Sequence, residues 1–171
     1  MPPLALNSIA NTELPVPGDD PWYAQPEDPA LTVMTDFRER SSVTVADAAS
    51  IDAALERMKH AGVRCAFVTD AQRRVCGMVT AYDIMSEKPT RHAQSVAGQR
   101  RDVLVADIMT RVAEWRVAEF MELRRATVES VYRTFESTRL THSPVMESGA
   151  DGQRRLRGLL SAAQVRRVLG R

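Results

Sequence analysis

Residues 75–83, VCGMVTAYD, and residues 156–164, LRGLLSAAQ, decide the fold because they are two versions of one pattern. In each version a glycine lies within an apolar run, a hydroxyl residue follows, and a short stretch with helical spacing comes next. This order predicts a buried strand that leads into an N-capped helix. Since the pattern occurs twice, it also predicts that the chain contains a repeated structural unit.

Segments before these two stretches repeat in the same order. The TVMT sequence at residues 32–35 recurs as DIMT at residues 107–110, an offset of 75. Ser50 and Thr127, at an offset of 77, each precede an apolar stripe with helical spacing. The stripes are Ile51, Ala54, Leu55 and Met58 in one copy, and Val128, Val131, Tyr132 and Phe135 in the other. Such a hydroxyl residue predicts an N-cap, and the stripe predicts one helix face packed on a core.

A hairpin completes each copy. Residues 63–68 and 140–145 are matched strand-like runs, and each is followed by a turn and by the glycine-containing strand. The second turn is longer than the first, so the offset grows from 77 to 81. Each copy is therefore predicted to be a β-α-β-β-α unit of mixed α+β class. A unit of about 60 residues buries little surface alone, so the two copies should close on each other.

These matches predict four segments. They are a Pro-rich N-terminal arm (1–29), a first domain (30–88), a linker (89–102) and a second domain (103–171). Trp22 and Tyr23 are the bulky residues that would anchor the arm to the body or to a second subunit. The sequence Glu114-Trp115-Arg116-Val117 fits either the first strand of the second copy or part of a longer helix.

Composition excludes several classes of protein. The chain has 171 residues, 44% of them hydrophobic, and a formal net charge of +1, which gives no global attraction to nucleic acid or anionic lipid. No run approaches the length of a membrane span and no leader is evident, so a cytoplasmic protein is expected. Cys65 and Cys76 lie in apolar runs without metal-site spacing, which predicts buried, reduced thiols.

Together the repeats resemble the CBS domain family. The similarity lies in the D-[IV]-M-T start, the capped helix, the strand ending in Pro-Val and the G-h-[VL]-[ST] segment before the last helix, and it covers about residues 30–171. The resemblance implies a tandem pair, or Bateman module, whose two β-α-β-β-α repeats pack through their sheets by pseudo-twofold symmetry. It implies a cleft between the copies that takes an adenine nucleotide or adenosyl compound. It also implies a homodimer that regulates an unidentified target protein. AMP, ADP, ATP and S-adenosylmethionine are the candidate regulatory ligands, and no cofactor is required.

The resemblance assigns ligand contacts to Asp83 and Thr80. It implies that the Asp83 carboxylate accepts hydrogen bonds from the two ribose hydroxyls and that Thr80 lies near the phosphate or ribose. A carboxylate has two acceptor oxygens that match a vicinal diol. The same two residues also fit a capping box, in which they satisfy backbone donors at the helix start. The motif alone leaves both interpretations open.

In the second copy the corresponding residues are Ser161 and Gln164. Glutamine also serves in a capping box, so the cap is predicted to be kept, whereas the diol-accepting carboxylate is lost. At most one strong nucleotide site, centred on Asp83, is therefore expected. The predicted site is completed by Ser161, by Arg64 and His142 as candidate phosphate contacts, and by Val43, Thr44 and Val45 as the adenine slot. Arg64 and His142 also fit surface positions, and the slot residues also fit the core of an empty module.

Other functions fit less well. His60, His92 and His142 show no metal or catalytic spacing, and the sequence has no P-loop or dinucleotide fingerprint, so an enzyme is not expected. Six arginines lie in the last eighteen residues without interleaved aromatics, and a solvated helix end explains them better than nucleic-acid binding. The main competing hypothesis is a CBS pair that binds no small molecule and acts only in dimerisation or docking.

Overall fold

The computed structural model describes residues 23–171, which form two halves related by pseudo-twofold symmetry. The prediction for Trp22 lies outside the described residues, and Tyr23 is largely exposed. The elements up to residue 95 are β1 (Met34–Asp36), β2 (Thr44–Ala46), α1 (Ile51–His60), β3 (Cys65–Thr69), β4 (Val75–Thr80), α2 (Ala81–Met85) and α3 (Lys88–Ser95). The later elements are α4 (Val105–Ile108), β5 (Thr110–Arg111), β6 (Ala118–Glu119), α5 (Phe120–Leu123), α6 (Val128–Thr138), β7 (His142–Ser148), β8 (Arg154–Ser161) and α7 (Ala162–Val168). Single 3₁₀ turns lie at Ala30–Val33, Arg100–Asp102 and Val112–Glu114.

Each half contributes a leading strand to the sheet of the other half. One sheet has the order β2-β3-β4-β5 and the other β6-β7-β8-β1. Strand β1 pairs antiparallel with β8, and β5 pairs antiparallel with β4, so each sheet is closed at one edge by a strand from the other copy. The two predicted copies are therefore joined by backbone hydrogen bonds as well as by side-chain packing.

Glycines permit this exchange. A Cβ at Gly77 would lie 2.8 Å from the backbone oxygen of Thr110, and one at Gly158 would lie 2.6 Å from the backbone oxygen of Thr35. These distances are shorter than van der Waals contact, so only glycine lets the exchanged strand approach. Each repeated motif thus contains a glycine because the exchanged strand passes too close for a side chain, which the sequence alone did not indicate.

Three apolar clusters stabilise the fold. Helices α1, α2 and α4 pack on one sheet around Ile51, Met58 and Ile84, and α6 and α7 pack on the other around Phe135 and Val165. A third cluster lies between the two sheets and contains Cys65, Phe67, Met78, Phe37, Trp115, Leu156 and Leu159. The rings of Phe37 and Trp115 both contact Phe67 edge-on, at centroid distances of 5.5 and 5.7 Å. The sheets therefore face each other, with helices on their outer faces.

Some predicted details differ from the structure. Residues 115–117 are neither strand nor helix, and the strand that precedes the helices of the second copy's core is β6. The predicted linker contains α3, and its next segment pairs with the first half through the bridge between Ser50 and Leu104. At the matching place in the other half, Pro29 bridges to Thr127, and Ala30 and Val33 are buried in the second core. Within residues 23–171, no helix is long and apolar enough to cross a membrane.

The two cysteines are unpaired thiols, as predicted. Cys65 is buried between the sheets, and burial raises its pKa to about 12. Cys76 is only half-buried, so the prediction of burial holds fully for Cys65 alone.

Candidate functional site: a cleft between the two halves

A cavity of about 610 Å³ opens between the two halves. Four segments line it: the end of β1 with the loop that follows, the turn into β3 with the first residues of that strand, the start of β7, and the end of β8 with α7. The lining residues are Thr35, Phe37, Arg40, Ser41, Ser42, Val43, Ala61, Gly62, Val63, Arg64, Cys65, Phe67, His142, Leu159, Ser161, Ala163, Gln164 and Arg167. The cleft therefore needs both copies, because its walls come from both.

Backbone pairing fixes the wall where the two copies meet. His142 lies opposite Ser161 in the β7–β8 ladder, and Cys65 lies opposite Thr80 at the matching place in the β3–β4 ladder. The amide of Ala162 donates to the backbone oxygen of Thr141 at 2.9 Å, so the start of α7 is held against the start of β7. His142 and Ser161 thus stand on paired strands, whereas Arg40, Ser41 and Ser42 lie in the loop between β1 and β2.

The cleft carries an excess of positive charge. Arg40, Arg64 and Arg167 line it, and none of them forms an ion pair with any residue of 23–171. Among the residues that the structure describes, no aspartate or glutamate lines the cleft. Arginine is the side chain best suited to bind phosphate oxygens in a bidentate manner. The lining is therefore complementary to an anionic ligand.

His142 is neutral at pH 7. Its burial lowers its pKa to about 4, and the nearby Arg64 acts in the same direction, although Asp83 opposes the shift. The ring nitrogen Nδ1 lies 3.1 Å from Oγ1 of Thr141. A neutral imidazole has one donor and one acceptor nitrogen, and Nδ1 is already used by Thr141. His142 therefore has Nε2 left for a ligand and adds no charge to the cleft.

Ser161 and Gln164 do not form the predicted cap. The side chain of Ser161 makes no capping hydrogen bond at the start of α7, so the expectation that the second copy keeps its capping box is wrong. Both residues line the cleft instead, and neither side chain is hydrogen-bonded to another residue within 23–171. Because they are not used by the fold, both side chains can meet a ligand.

Unlike Ser161 and Gln164, Thr80 and Asp83 form a complete capping box. Thr80 Oγ1 accepts from the Asp83 amide at 3.0 Å, and Asp83 Oδ2 accepts from the Thr80 amide at 3.0 Å and its hydroxyl at 2.6 Å. The other carboxylate oxygen, Oδ1, accepts from Lys88 Nζ. Thr80 and Asp83 are 5% and 8% exposed, and Asp83 does not line the cleft. The capping interpretation therefore accounts for both residues here.

The predicted adenine slot is only partly at the cleft. Val43 lines it, whereas Val45 is buried in the first core, facing the helices. The backbone oxygen of Thr44 accepts from Arg57 Nε at 2.8 Å, and Thr44 is not among the lining residues. Of the eight predicted site residues, the structure thus brings Val43, Arg64, His142 and Ser161 together.

A second cavity of about 670 Å³ lies on the other side of Arg64 and His142. Thr80 lines it, with apolar residues of α1, α2 and α7 that include Leu55, Tyr82 and Met85. Arg64 and His142 therefore form a wall that the two cavities share. Within residues 23–171 no group of three or more histidine, cysteine or acidic side chains could hold a metal ion.

Sequence reasoning missed Arg40, Ser41, Ser42 and Arg167. The first three lie in the loop between β1 and β2, where no periodicity marks a role. Arg167 belonged to the C-terminal arginine group that was interpreted as a solvated helix end. The other five arginines of that group, Arg154, Arg155, Arg157, Arg166 and Arg171, all form ion pairs, so little unpaired charge remains there for nucleic acid.

Comparison with known proteins agrees with this architecture. The CBS domain family model matches residues 33–89. No curated protein shows a significant match. CBSX2, a CBS-pair protein from Arabidopsis thaliana, is 24% identical with a TM-score of 0.51, over 81% of this chain and 92% of that one. A second structure of CBSX2, in complex with AMP, has the same identity and a TM-score of 0.53, over 81% of this chain and 93% of that one.

Two further solved structures are similar. An uncharacterized conserved protein from Pyrococcus horikoshii is 20% identical with a TM-score of 0.56, over 83% of this chain and 92% of that one. A CBS-domain containing protein from Agrobacterium tumefaciens is 21% identical with a TM-score of 0.54, over 78% of this chain and 91% of that one. At these identities the likeness shows the fold.

Proposed function

We propose that this chain, which has a CBS domain at residues 33–89 and the fold of a tandem CBS pair, is a regulatory module that binds an adenine nucleotide in the cleft between its halves. The observation that carries the proposal is the set of three arginines with no ion pair in residues 23–171, in a cleft whose lining has no acidic residue. The three arginines are exposed to solvent, and their combined positive charge attracts an anion to the cleft.

The rest of the lining suits a nucleotide. Phosphate oxygens would meet Arg64, Arg167 and the hydroxyl of Ser161, while the apolar wall of Val43, Val63 and Leu159 would receive a flat base. AMP binding by CBSX2 supports an adenine nucleotide. S-adenosylmethionine has no phosphate and carries a sulfonium cation, so the three arginines favour it less than a nucleotide. Asp83 can contact a ligand only after Lys88 leaves its Oδ1.

The regulatory output would come from the relative position of the halves. A ligand that contacts both halves stabilises the arrangement it binds more tightly, and only by that difference in affinity. A homodimer and a separate target protein would sense the change. No catalytic step is proposed.

Binding can be tested by thermal unfolding of the purified protein with ATP, ADP, AMP and S-adenosylmethionine. A ligand at 100 times its Kd should add about 2.7 kcal/mol to the free energy of unfolding. Arg64→Gln and Arg167→Gln should each weaken binding about tenfold or more, since each removes a charged donor. Arg154→Gln is the matched control, because Arg154 is paired with Glu119 outside the cleft. Equal loss in all three variants would contradict the site.

A ligand-free docking module is the second candidate. It is favoured by two observations: Asp83 is fully occupied by its own chain, and α2 exposes Tyr82 and Met85, each 68% exposed. This alternative predicts no stabilisation by any of the four compounds, together with a stable dimer in sedimentation experiments. Stabilisation by one compound that is lost in Arg64→Gln would exclude it.

A further inference from the structure

We infer that the cleft recognises its nucleotide through the phosphates and not through the sugar diol, so that ribonucleotides and 2′-deoxyribonucleotides with equal numbers of phosphates bind alike. The inference rests on the proposed function and names the ligand class: nucleoside polyphosphates of either sugar. It is carried by which hydrogen-bonding groups line the cleft and which of them the fold already uses.

Sugar recognition needs a strong acceptor. The 2′- and 3′-hydroxyls of a ribose donate hydrogen bonds, and a carboxylate that accepts both discriminates well against a sugar that lacks one hydroxyl. Within residues 23–171, no carboxylate lines the cleft. At the start of α7 the only side-chain amide is that of Gln164, a neutral group with one acceptor oxygen. Loss of a 2′-hydroxyl therefore leaves no buried charge unpaired.

Asp83 does not replace the missing carboxylate. It is 8% exposed, and its oxygens accept from the Thr80 amide, the Thr80 hydroxyl and the Lys88 ammonium group. A sugar would have to displace these donors, two of which also hold the start of α2. Each displaced donor would itself need a new partner, so the exchange offers no net gain in hydrogen bonds.

The cleft has several donors for phosphate oxygens, in contrast to its lack of an acceptor for the sugar hydroxyls. Arg40 comes from the loop after β1, Arg64 from the turn before β3 and Arg167 from α7, so three separate segments direct guanidinium groups to one cavity. Ser161 adds a hydroxyl that is not hydrogen-bonded to any residue of 23–171. Since each added phosphate brings charge toward these donors, affinity should rise from mono- to triphosphate.

The decisive experiment is calorimetric titration of the full chain with ATP, dATP, AMP and dAMP at one salt concentration. We expect ATP and dATP to agree within about threefold, and ATP to bind about tenfold or more tightly than AMP. A ribonucleotide preference of tenfold or more with nucleotide binding intact would overturn the inference and leave the proposed function standing. Absence of binding by all four would overturn both.

Three variants test which residues contact the sugar and which contact the phosphates. Gln164→Asp supplies a carboxylate at the cleft and should create a preference for ATP over dATP, provided that its circular dichroism matches that of the parent protein. Arg167→Gln should weaken ATP and dATP by the same factor. A variant Asp83→Asn that changes the ratio of ATP to dATP affinity would assign the sugar contact to Asp83 and refute the inference.

Discussion

His142 lies half-buried on the wall shared by the two cavities, where its pKa is about 4 instead of 6.5. Burial is the main cause, so the folded protein binds this proton more weakly than the unfolded chain does. As pH falls from 6.5 to 4, protonation therefore favours unfolding, and stability rises again with pH over the same window. We expect the melting temperature of the parent protein to fall more steeply between pH 6.5 and 4 than that of His142→Gln. Parallel melting curves in differential scanning calorimetry would contradict this account.

Thr80 and Ser161 occupy matched positions in the two copies, but only one of them caps a helix. Thr80 caps α2, whereas the Ser161 hydroxyl makes no capping bond. Thr80→Ala should lower the free energy of unfolding by about 1 kcal/mol, since an N-cap hydrogen bond is lost. Ser161→Ala should change it by less than about 0.5 kcal/mol and should weaken nucleotide binding instead.

Urea unfolding measures the free energy of unfolding of each variant, and nucleotide titration measures its binding affinity. If Thr80→Ala weakens binding more than Ser161→Ala does, the cleft is not the main site.

At the scale of elements, the exchanged strands depend on Gly77 and Gly158. An added Cβ would meet the backbone oxygens of Thr110 and Thr35, which cannot move without breaking the β4–β5 and β1–β8 pairings. Gly77→Ala and Gly158→Ala should each destabilise the protein by about 1–3 kcal/mol. Gly98→Ala is the control, because its Cβ would lie no closer than 3.4 Å to any neighbour. Chemical denaturation of the three variants tests the difference, and a Gly98→Ala effect as large as the others would refute the steric explanation.

The sequence predicted the helices and hairpins because their signals are local. The capped stripe after Ser50 and the one after Thr127 became α1 and α6, and the glycine-containing runs became β4 and β8. The exchange of β1 and β5 was not predicted, since Met34 pairs with Leu160 and no local pattern links residues so far apart. The cleft residues were also predicted only where a local signal exists. Arg64 and His142 were predicted because they lie at strand starts, whereas Arg40 was missed because it lies in a loop without periodicity.

At the scale of the molecule, an ion-pair network holds β1 of the first half to the second half. Arg157 on β8 donates to both carboxylate oxygens of Asp36 and to Glu147, and its guanidinium lies 4.3 Å from the centre of the Phe120 ring. Its side chain is 12% exposed, and the pKa of Asp36 is lowered to about 2, mainly by the hydrogen bonds from Arg157. The stabilisation is therefore present above pH 3.8 and is lost as pH falls through 2.

Arg157→Gln should lower the free energy of unfolding by about 3 kcal/mol at pH 7, because it leaves the mostly buried Asp36 without its main partner. Arg38→Gln removes a second contact to Glu147 from a side chain that is 66% exposed, and it should change stability by less than about 1 kcal/mol. Thermal unfolding of the two variants at pH 7 measures the contrast. Equal effects would mean that the network does not hold β1 in place.

Strand exchange also implies that neither half unfolds alone. Loss of either half removes an edge strand from the other sheet and exposes the cluster around Phe67 and Trp115 between the sheets. A single transition is therefore expected, with helix loss by far-ultraviolet circular dichroism coinciding with the fluorescence change of Trp115 in a Trp22→Phe background. If Trp115 became exposed at a lower denaturant concentration than that at which the helices melt, the halves would be separate folding units. The exchanged strands would then contribute little to the stability of either sheet.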